Sequence, residues 1–99
     1  MKPIYLDNNA TTRVDPAVVD AMLPFFTEHF GNASSIHAFG SEVGKALKKA
    51  RSQVQALLGA EHDSEIIFTS CGTESDSTAI HSALKAQPDR NTVITTNVE

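Results

Sequence analysis

Residues Ile66-Ile67-Phe68-Thr69-Ser70-Cys71-Gly72-Thr73-Glu74-Ser75 carry the strongest structural signal in this sequence. An apolar run ends at Phe68, and small polar residues follow it at once. From Ala79 onward, apolar residues recur with the spacing of one helix face. This order predicts a strand, a tight turn and the start of a helix.

The same turn has the chemistry of an anion site. The first N–H groups of a helix lack intrahelical partners and lie at the positive end of its dipole, which suits phosphate above all. Gly72 has no Cβ, so a ligand can come close to the backbone, and Thr73 adds a hydroxyl donor. The alternative is an ordinary capped turn, with Thr73 or Ser70 as the N-cap.

The composition is that of a globular chain. The 99 residues are 40% hydrophobic and 20% charged, with a net charge of −4. There is no basic block, which argues against nucleic acid and acidic membrane surfaces as partners. No apolar run approaches the roughly 18 residues of a membrane span. A single cysteine, Cys71, precludes an internal disulfide and fits a reducing cytoplasm.

Local start and stop signals predict the first two helices. Asp15-Pro16 is typical of an N-cap followed by the first helical residue, and Pro24 predicts a kink or an early end. A second, long helix is predicted over residues 38–58, with Gly59 ending it in the left-handed conformation. Its apolar stripe is expected to face the core and consists of Val43, Leu47, Ala50, Val54 and Leu57.

Apolar segments predict strands at residues 4–6, 65–69 and 92–96. Adjacent apolar residues suit strands that are covered on both faces, as in parallel sheets. A third helix, ending before Pro88, separates the last two strands, and this order makes a βαβ unit. The predicted fold class is therefore α/β. Because the chain stops just past a predicted strand end, where such sheets carry their sites, we expect it to be a piece of a larger domain.

Four motifs, in order and at matching spacings, resemble the N-terminal part of the cysteine desulfurase family, whose members are pyridoxal-phosphate enzymes of the aspartate-aminotransferase-like fold (fold type I). The motifs are Tyr5–Thr12, Phe30–Ser35 with His37 and Gly40 after it, Glu65–Ser75, and Ile94–Glu99. The sequence from Ser70 to Thr78 is similar to that of the NifS branch, which supplies sulfur for nitrogenase clusters. Ala33 stands where the family usually has proline, a change that loosens a loop and leaves the chemistry intact.

The resemblance implies the N-terminal part of a fold type I enzyme with an incomplete sheet. Residues 1–15 would belong with the small domain, and residues 16–99 would begin the large cofactor-binding domain. Family members use pyridoxal 5'-phosphate as an electron sink to convert L-cysteine into L-alanine and an enzyme persulfide. The implied partners are a second copy, as a homodimer, and an iron-sulfur scaffold protein that accepts the sulfur.

The resemblance also assigns candidate site residues. Gly72 and Thr73 match the positions that hold the cofactor phosphate. The possible substrate-side residues are Asn8, Ala10, Thr11 and His37, although a structural turn explains the first three equally well. The Schiff-base lysine and the nucleophilic cysteine of the family come later in the chain, so no catalytic residue is expected within residues 1–99.

Other interpretations stay open. Cys71 at a helix start could be an activated thiol, but a small turn residue is the better explanation. The histidines do not have the spacing of metal ligands, so no metal site is predicted. Within the same fold, the parent protein could be a selenocysteine lyase or another lyase. Outside it, the chain could be a stand-alone phosphate-binding or interaction module.

Overall fold

The computed structural model describes residues 2–98, so Glu99, the last residue of the closing motif, lies outside the described residues. Helices in this range are α1 (Pro16–Met22), α2 (Pro24–Thr27), α3 (Ala38–Leu58) and α4 (Gly72–Ala86), with a 3-10 turn at Asp63–Glu65. The chain divides into two compact units, Met1–Asp63 and Ser64–Glu99. None of the helices within residues 2–98 is both long and apolar enough to cross a bilayer.

Helix α1 begins at the predicted residue, and the helical segment is interrupted before Pro24. The Asp15 carboxylate accepts a hydrogen bond from the Ala17 N–H at 2.8 Å, and Pro16 occupies the first turn, where a missing N–H has no cost. Helix α1 ends at Met22 and α2 begins at Pro24. Proline cannot continue the hydrogen-bond ladder of a preceding turn, so the predicted break is confirmed.

Helix α3 spans Ala38–Leu58, as predicted, and both of its ends are secured locally. At the C-terminal end Gly59 has a φ of 72°, the left-handed conformation that glycine adopts without a Cβ clash. The Gln55 side chain reaches past this end, and its Nε2 donates to the Ala60 and Glu61 carbonyls at 3.3 and 3.1 Å. These bonds satisfy carbonyl groups just beyond the helix.

The predicted strands are not observed within residues 2–98. Segments 4–6, 66–69 and 92–96 have no regular secondary structure, and Glu65 ends the 3-10 turn instead of starting a strand. A strand is defined by main-chain bonds to a neighbouring strand, and a sequence pattern cannot supply that neighbour. The helical part of the α/β prediction is confirmed, whereas the incomplete sheet stays a prediction.

The apolar stripe of α3 is not a core in this chain, contrary to the sequence prediction. Leu47 is 43% exposed and Leu57 is 83% exposed. Among residues 2–98, the one large hydrophobic side chain that is buried is Ile66, which is 8% exposed. An amphipathic stripe becomes a core only where another apolar surface covers it. The pattern correctly identified the apolar face but could not determine what lies against it.

Candidate functional site

The turn before α4 has an unusual N-cap. Cys71 occupies that position with extended backbone, and Gly72 is the first helical residue. The Ser75 N–H donates to the Cys71 carbonyl at 3.1 Å as the helix begins. The prediction of Thr73 or Ser70 as N-cap is therefore wrong, because a helix that starts at Gly72 places one of them inside it and the other before its cap.

A carboxylate inside the helix closes this turn. Glu74 Oε2 accepts two hydrogen bonds from Ser70, one from the main-chain N–H at 2.7 Å and one from the hydroxyl at 2.5 Å. The Ser70 hydroxyl is the first cause that holds the pKa of Glu74 below its usual value, and the Ser70 N–H is the second. Glu74 is the acidic residue in the first turn of α4, where the helix dipole favours negative charge.

Thr69 fixes the main chain on the other side of Cys71. Its hydroxyl donates to the Cys71 carbonyl at 3.0 Å and lies 2.5 Å from the Ser75 hydroxyl. A hydroxyl carries one proton, so Ser75 is the donor in the hydroxyl pair. The side chains of Thr69, Ser70 and Ser75 are thus hydrogen-bonded within the protein.

The donors at this helix start favour negative charge. Cys71 is exposed, and the Glu74 N–H is the largest influence that lowers the pKa of its thiol, followed by the Ser70 hydroxyl. The N–H and the hydroxyl of Thr73 act in the same direction. This is the behaviour expected of a sulfur at the positive end of a helix. The Glu74 N–H and the two Thr73 groups could donate to another anion, whereas both Ser70 donors are used by Glu74.

Gly72 leaves the main chain accessible at this point. Apart from its chain neighbours and the backbone of α4 itself, a Cβ built on Gly72 would meet no atom within 4 Å. An anion can therefore approach the first N–H groups of α4 without displacing protein atoms. The accessible backbone, the Thr73 hydroxyl and the donors around Cys71 fit the phosphate group of a cofactor.

Asn8 and Ala10, two of the possible substrate-side residues, lie in a turn at residues 8–10, and Thr11, a third, directly follows it. The Ala10 N–H donates to the Asp7 carbonyl at 3.2 Å, and the Tyr5 hydroxyl donates to the Thr11 carbonyl at 2.6 Å. All three residues are exposed. The structure brings them together in one local feature, and their role toward a substrate stays a prediction.

His37, the fourth candidate, is the N-cap of α3. Its Nδ1 accepts a hydrogen bond from the Gly40 N–H at 3.4 Å, so the proton of the neutral ring lies on Nε2. The exposed ring meets the Phe39 ring edge-on, with 6.3 Å between centroids. Histidine is not among the preferred N-caps, which is why sequence patterns missed this role.

The loop before α3, residues 30–37, is folded against the first turn of that helix. Asn32 holds it internally, because its side chain accepts from the Ser34 N–H and its carbonyl accepts from the Ser35 N–H, both at 2.9 Å. Gly40 is buried, and a Cβ there would lie 2.5 Å from the Asn32 carbonyl oxygen. The loop before α3 is thus a close-packed turn that depends on glycine.

The described residues 2–98 contain no group of three or more histidine, cysteine, aspartate or glutamate side chains arranged to hold a metal ion. His29 instead packs its ring 5.6 Å from the Phe25 ring. His62 Nε2 lies 4.0 Å from the Glu61 carboxylate in an exposed pair. These two histidines have ordinary side-chain neighbours.

Known proteins resemble most or all of this chain. Cysteine desulfurase NifS of Azotobacter vinelandii is 78% identical over 99 residues, which are 100% of this chain and 25% of the relative. A cysteine desulfurase of Gluconacetobacter diazotrophicus is 70% identical over the same share of each chain. A solved structure of a NifS-like protein superimposes with a TM-score of 0.80 at 42% identity, covering 89% of this chain and 24% of that one.

The chain therefore spans about a quarter of the length of the curated relatives it matches. The family model described as aminotransferase class-V matches residues 4–99. That match includes α1 to α4, the turn before α4 and all the candidate site residues. The chain belongs to the class-V aminotransferase family.

Proposed function

We propose that this chain is the N-terminal part of a cysteine desulfurase and that Gly72 and Thr73 hold the phosphate of its pyridoxal 5'-phosphate. Class-V aminotransferases and cysteine desulfurases depend on this cofactor. The observation that carries the proposal is the turn before α4, where an accessible glycine adjoins donors that already favour charge on Cys71. The 78% identity to a cysteine desulfurase supports it.

The part of this chain in the reaction is to bind and orient. The N–H groups of Gly72 and Thr73 and the Thr73 hydroxyl would donate to the phosphate oxygens, which are strong acceptors. When bound, the cofactor supplies an electron sink for the chemistry at the substrate. In this proposal the full-length protein converts L-cysteine into L-alanine and an enzyme persulfide, with its lysine and its nucleophilic cysteine outside residues 1–99.

Several further assignments belong to the same proposal. Asn8, Ala10, Thr11 and His37 are proposed to lie on the substrate side. Residues 1–15 would pack with a small domain, and residues 16–99 would begin the large domain and its sheet. The full-length protein would act as a cytoplasmic homodimer and pass sulfur to an iron-sulfur scaffold protein. The name of the Azotobacter relative favours a role in nitrogen fixation.

Replacing Thr73 by alanine in the full-length protein tests the phosphate assignment. The change removes one hydroxyl that would donate to an anion, a bond worth roughly 1.5–3 kcal/mol. We expect the apparent dissociation constant for pyridoxal 5'-phosphate to rise by roughly 10- to 150-fold. The measurement is a titration of the cofactor-free protein, followed by the visible absorbance of the bound cofactor.

Two neighbouring changes serve as controls. Thr78→Ala deletes the same atoms further along α4 and should leave cofactor affinity within about twofold. Cys71→Ala should leave most of the release of alanine from L-cysteine intact, because the thiol is proposed to have no chemical role. Unchanged affinity in Thr73→Ala would remove Thr73 from the site. Cofactor binding without any alanine release by the wild-type protein would refute the desulfurase assignment.

A further inference from the structure

The hydrogen bonds of the turn before α4 divide its polar groups into two sets. One set is used within the protein: both Ser70 donors go to Glu74, and the Thr69 hydroxyl goes to the Cys71 carbonyl. None of these bonds uses Gly72 or Thr73, which belong to the second set. The groups that fix the turn are therefore different from the groups proposed to bind phosphate.

Glu74 presents an electrostatic problem for a phosphate site. Its carboxylate is two residues from Gly72 and one from Thr73, and the two bonds from Ser70 keep it charged. A second negative charge near a dianion opposes binding, so removing it should tighten the complex if charge alone decides. A carboxylate in this position needs a compensating function.

We propose that Glu74 is a positioning residue for the cofactor phosphate, acting through Ser70 and making no contact with the ligand itself. The two bonds to Oε2 hold the residue that precedes Cys71 against the first turn of α4. With Ser70 fixed, the N–H groups of Gly72 and Thr73 stay directed to one point before any ligand arrives. This inference rests on the proposed function, because it concerns the same site.

The mechanism is preorganisation. A turn that is already ordered loses less conformational entropy when a ligand binds than one that must be ordered by the ligand. The Thr69 hydroxyl bonds contribute to the same order from the other side of Cys71. Because Glu74 supplies the only carboxylate in these bonds, its removal should loosen the turn more than loss of either threonine bond.

The test uses the full-length protein, with four single variants and one double variant titrated in the cofactor-free state. For Glu74→Ala we expect the apparent dissociation constant for pyridoxal 5'-phosphate to rise about tenfold or more, the size of one lost charge-assisted bond. Glu74→Gln keeps an oxygen acceptor for Ser70 and should stay within about threefold of wild type. Asp76→Asn removes the same charge further along α4 and should change affinity less than about twofold, in the direction of tighter binding.

The fourth variant, Ser70→Ala, removes the hydroxyl bond and keeps the N–H bond. We expect it to weaken cofactor binding, and the Ser70→Ala, Glu74→Ala double variant should bind no more weakly than Glu74→Ala alone. Such non-additivity would not arise from two unrelated losses of stability. If Glu74→Ala does not fold, the other two variants still test the inference. Ser70→Ala should bind the cofactor more weakly than Glu74→Gln, and the reverse order would contradict the inference.

Thermal unfolding of each cofactor-free variant separates positioning from general stability. A residue that only stabilises the helix start would lower the unfolding temperature and leave the cofactor affinity of the folded protein unchanged. That result, or tighter binding by Glu74→Ala, overturns the inference while wild-type binding preserves the proposed function. Absence of cofactor binding by the wild-type protein overturns both.

Discussion

The turn before α4 and the loop before α3 both lead into a helix, and they use glycine for opposite purposes. At Gly72 an added Cβ would meet nothing within 4 Å, so the missing side chain leaves space outside the protein. At Gly40 an added Cβ would lie 2.5 Å from the Asn32 carbonyl oxygen and 2.7 Å from Ser35 Cβ. One glycine exposes main chain to a ligand, and the other lets two pieces of main chain touch.

The largest expected effect concerns Gly40. Gly40→Ala should destabilise the full-length protein by about 1–3 kcal/mol, because the new methyl group collides with main-chain atoms that cannot turn aside. Helix propensity alone predicts the opposite sign, a gain of about 1 kcal/mol. Urea unfolding of the two proteins distinguishes these outcomes. A more stable variant would show that the loop before α3 is not closely packed on Gly40.

Gly72→Ala should give the complementary result. The cofactor-free protein should unfold within about 1 kcal/mol of wild type, since the new methyl group meets no protein atom and alanine favours helix. The apparent dissociation constant for pyridoxal 5'-phosphate should rise about tenfold, equivalent to about 1.4 kcal/mol. Absorbance titration measures it, with Gly40→Ala as the control that changes stability. Equal affinity of Gly72→Ala and wild type would contradict the contrast between the two glycines.

His37 allows a smaller test on the loop before α3. His37→Ala removes the N-cap acceptor of the Gly40 N–H, and loss of a cap costs about 0.5–2 kcal/mol. We expect the low end of that range, because the bond is long at 3.4 Å. His37→Asn is the matched variant, since asparagine is a preferred cap and should restore the stability. If alanine lowers turnover of L-cysteine and asparagine does not recover it, the substrate-side role of His37 gains support.

The smallest effect is the pH dependence contributed by Glu74. Its folded-state pKa is lowered by Ser70, so its stabilising contribution is present above the ordinary glutamate value of about 4.3 and is lost as pH falls through the lowered value. The stability difference between wild type and Glu74→Gln should therefore shrink below about pH 4. Urea unfolding across pH measures it. Ser70→Ala should weaken the dependence, and parallel profiles for wild type and Glu74→Gln would contradict it.

The parts of the fold that were predictable are those that the sequence specifies locally. Asp15-Pro16 and Gly59 determine helix ends through the backbone within a few residues, and α3 has its predicted limits. The strands at 65–69 and 92–96 could not be obtained in this way, because pairing depends on other segments. Whether the apolar face of α3 is covered was likewise unpredictable, since burial of Leu57 requires a covering surface.

The candidate site divides along the same line. The chemistry of Gly72 and Thr73 follows from residue types at a helix start, so sequence was enough to nominate them. The N-cap was mispredicted because side-chain preference favours serine or threonine, whereas the main chain at Cys71 extends without a side-chain cap bond. The bonds from Ser70 to Glu74 have a spacing outside the usual capping box, so the pattern did not reveal them.

The bonds at the C-terminal end of α3 affect how this part of the chain unfolds locally. Gln55 is joined to the residues beyond the helix by its two side-chain bonds, and its carbonyl accepts from the Gly59 and Ala60 N–H groups. Ordinary helix ends fray from the last residue inward. Here the last turn and the segment after it share one anchoring residue, so they should open together as a single cooperative step rather than unravel gradually.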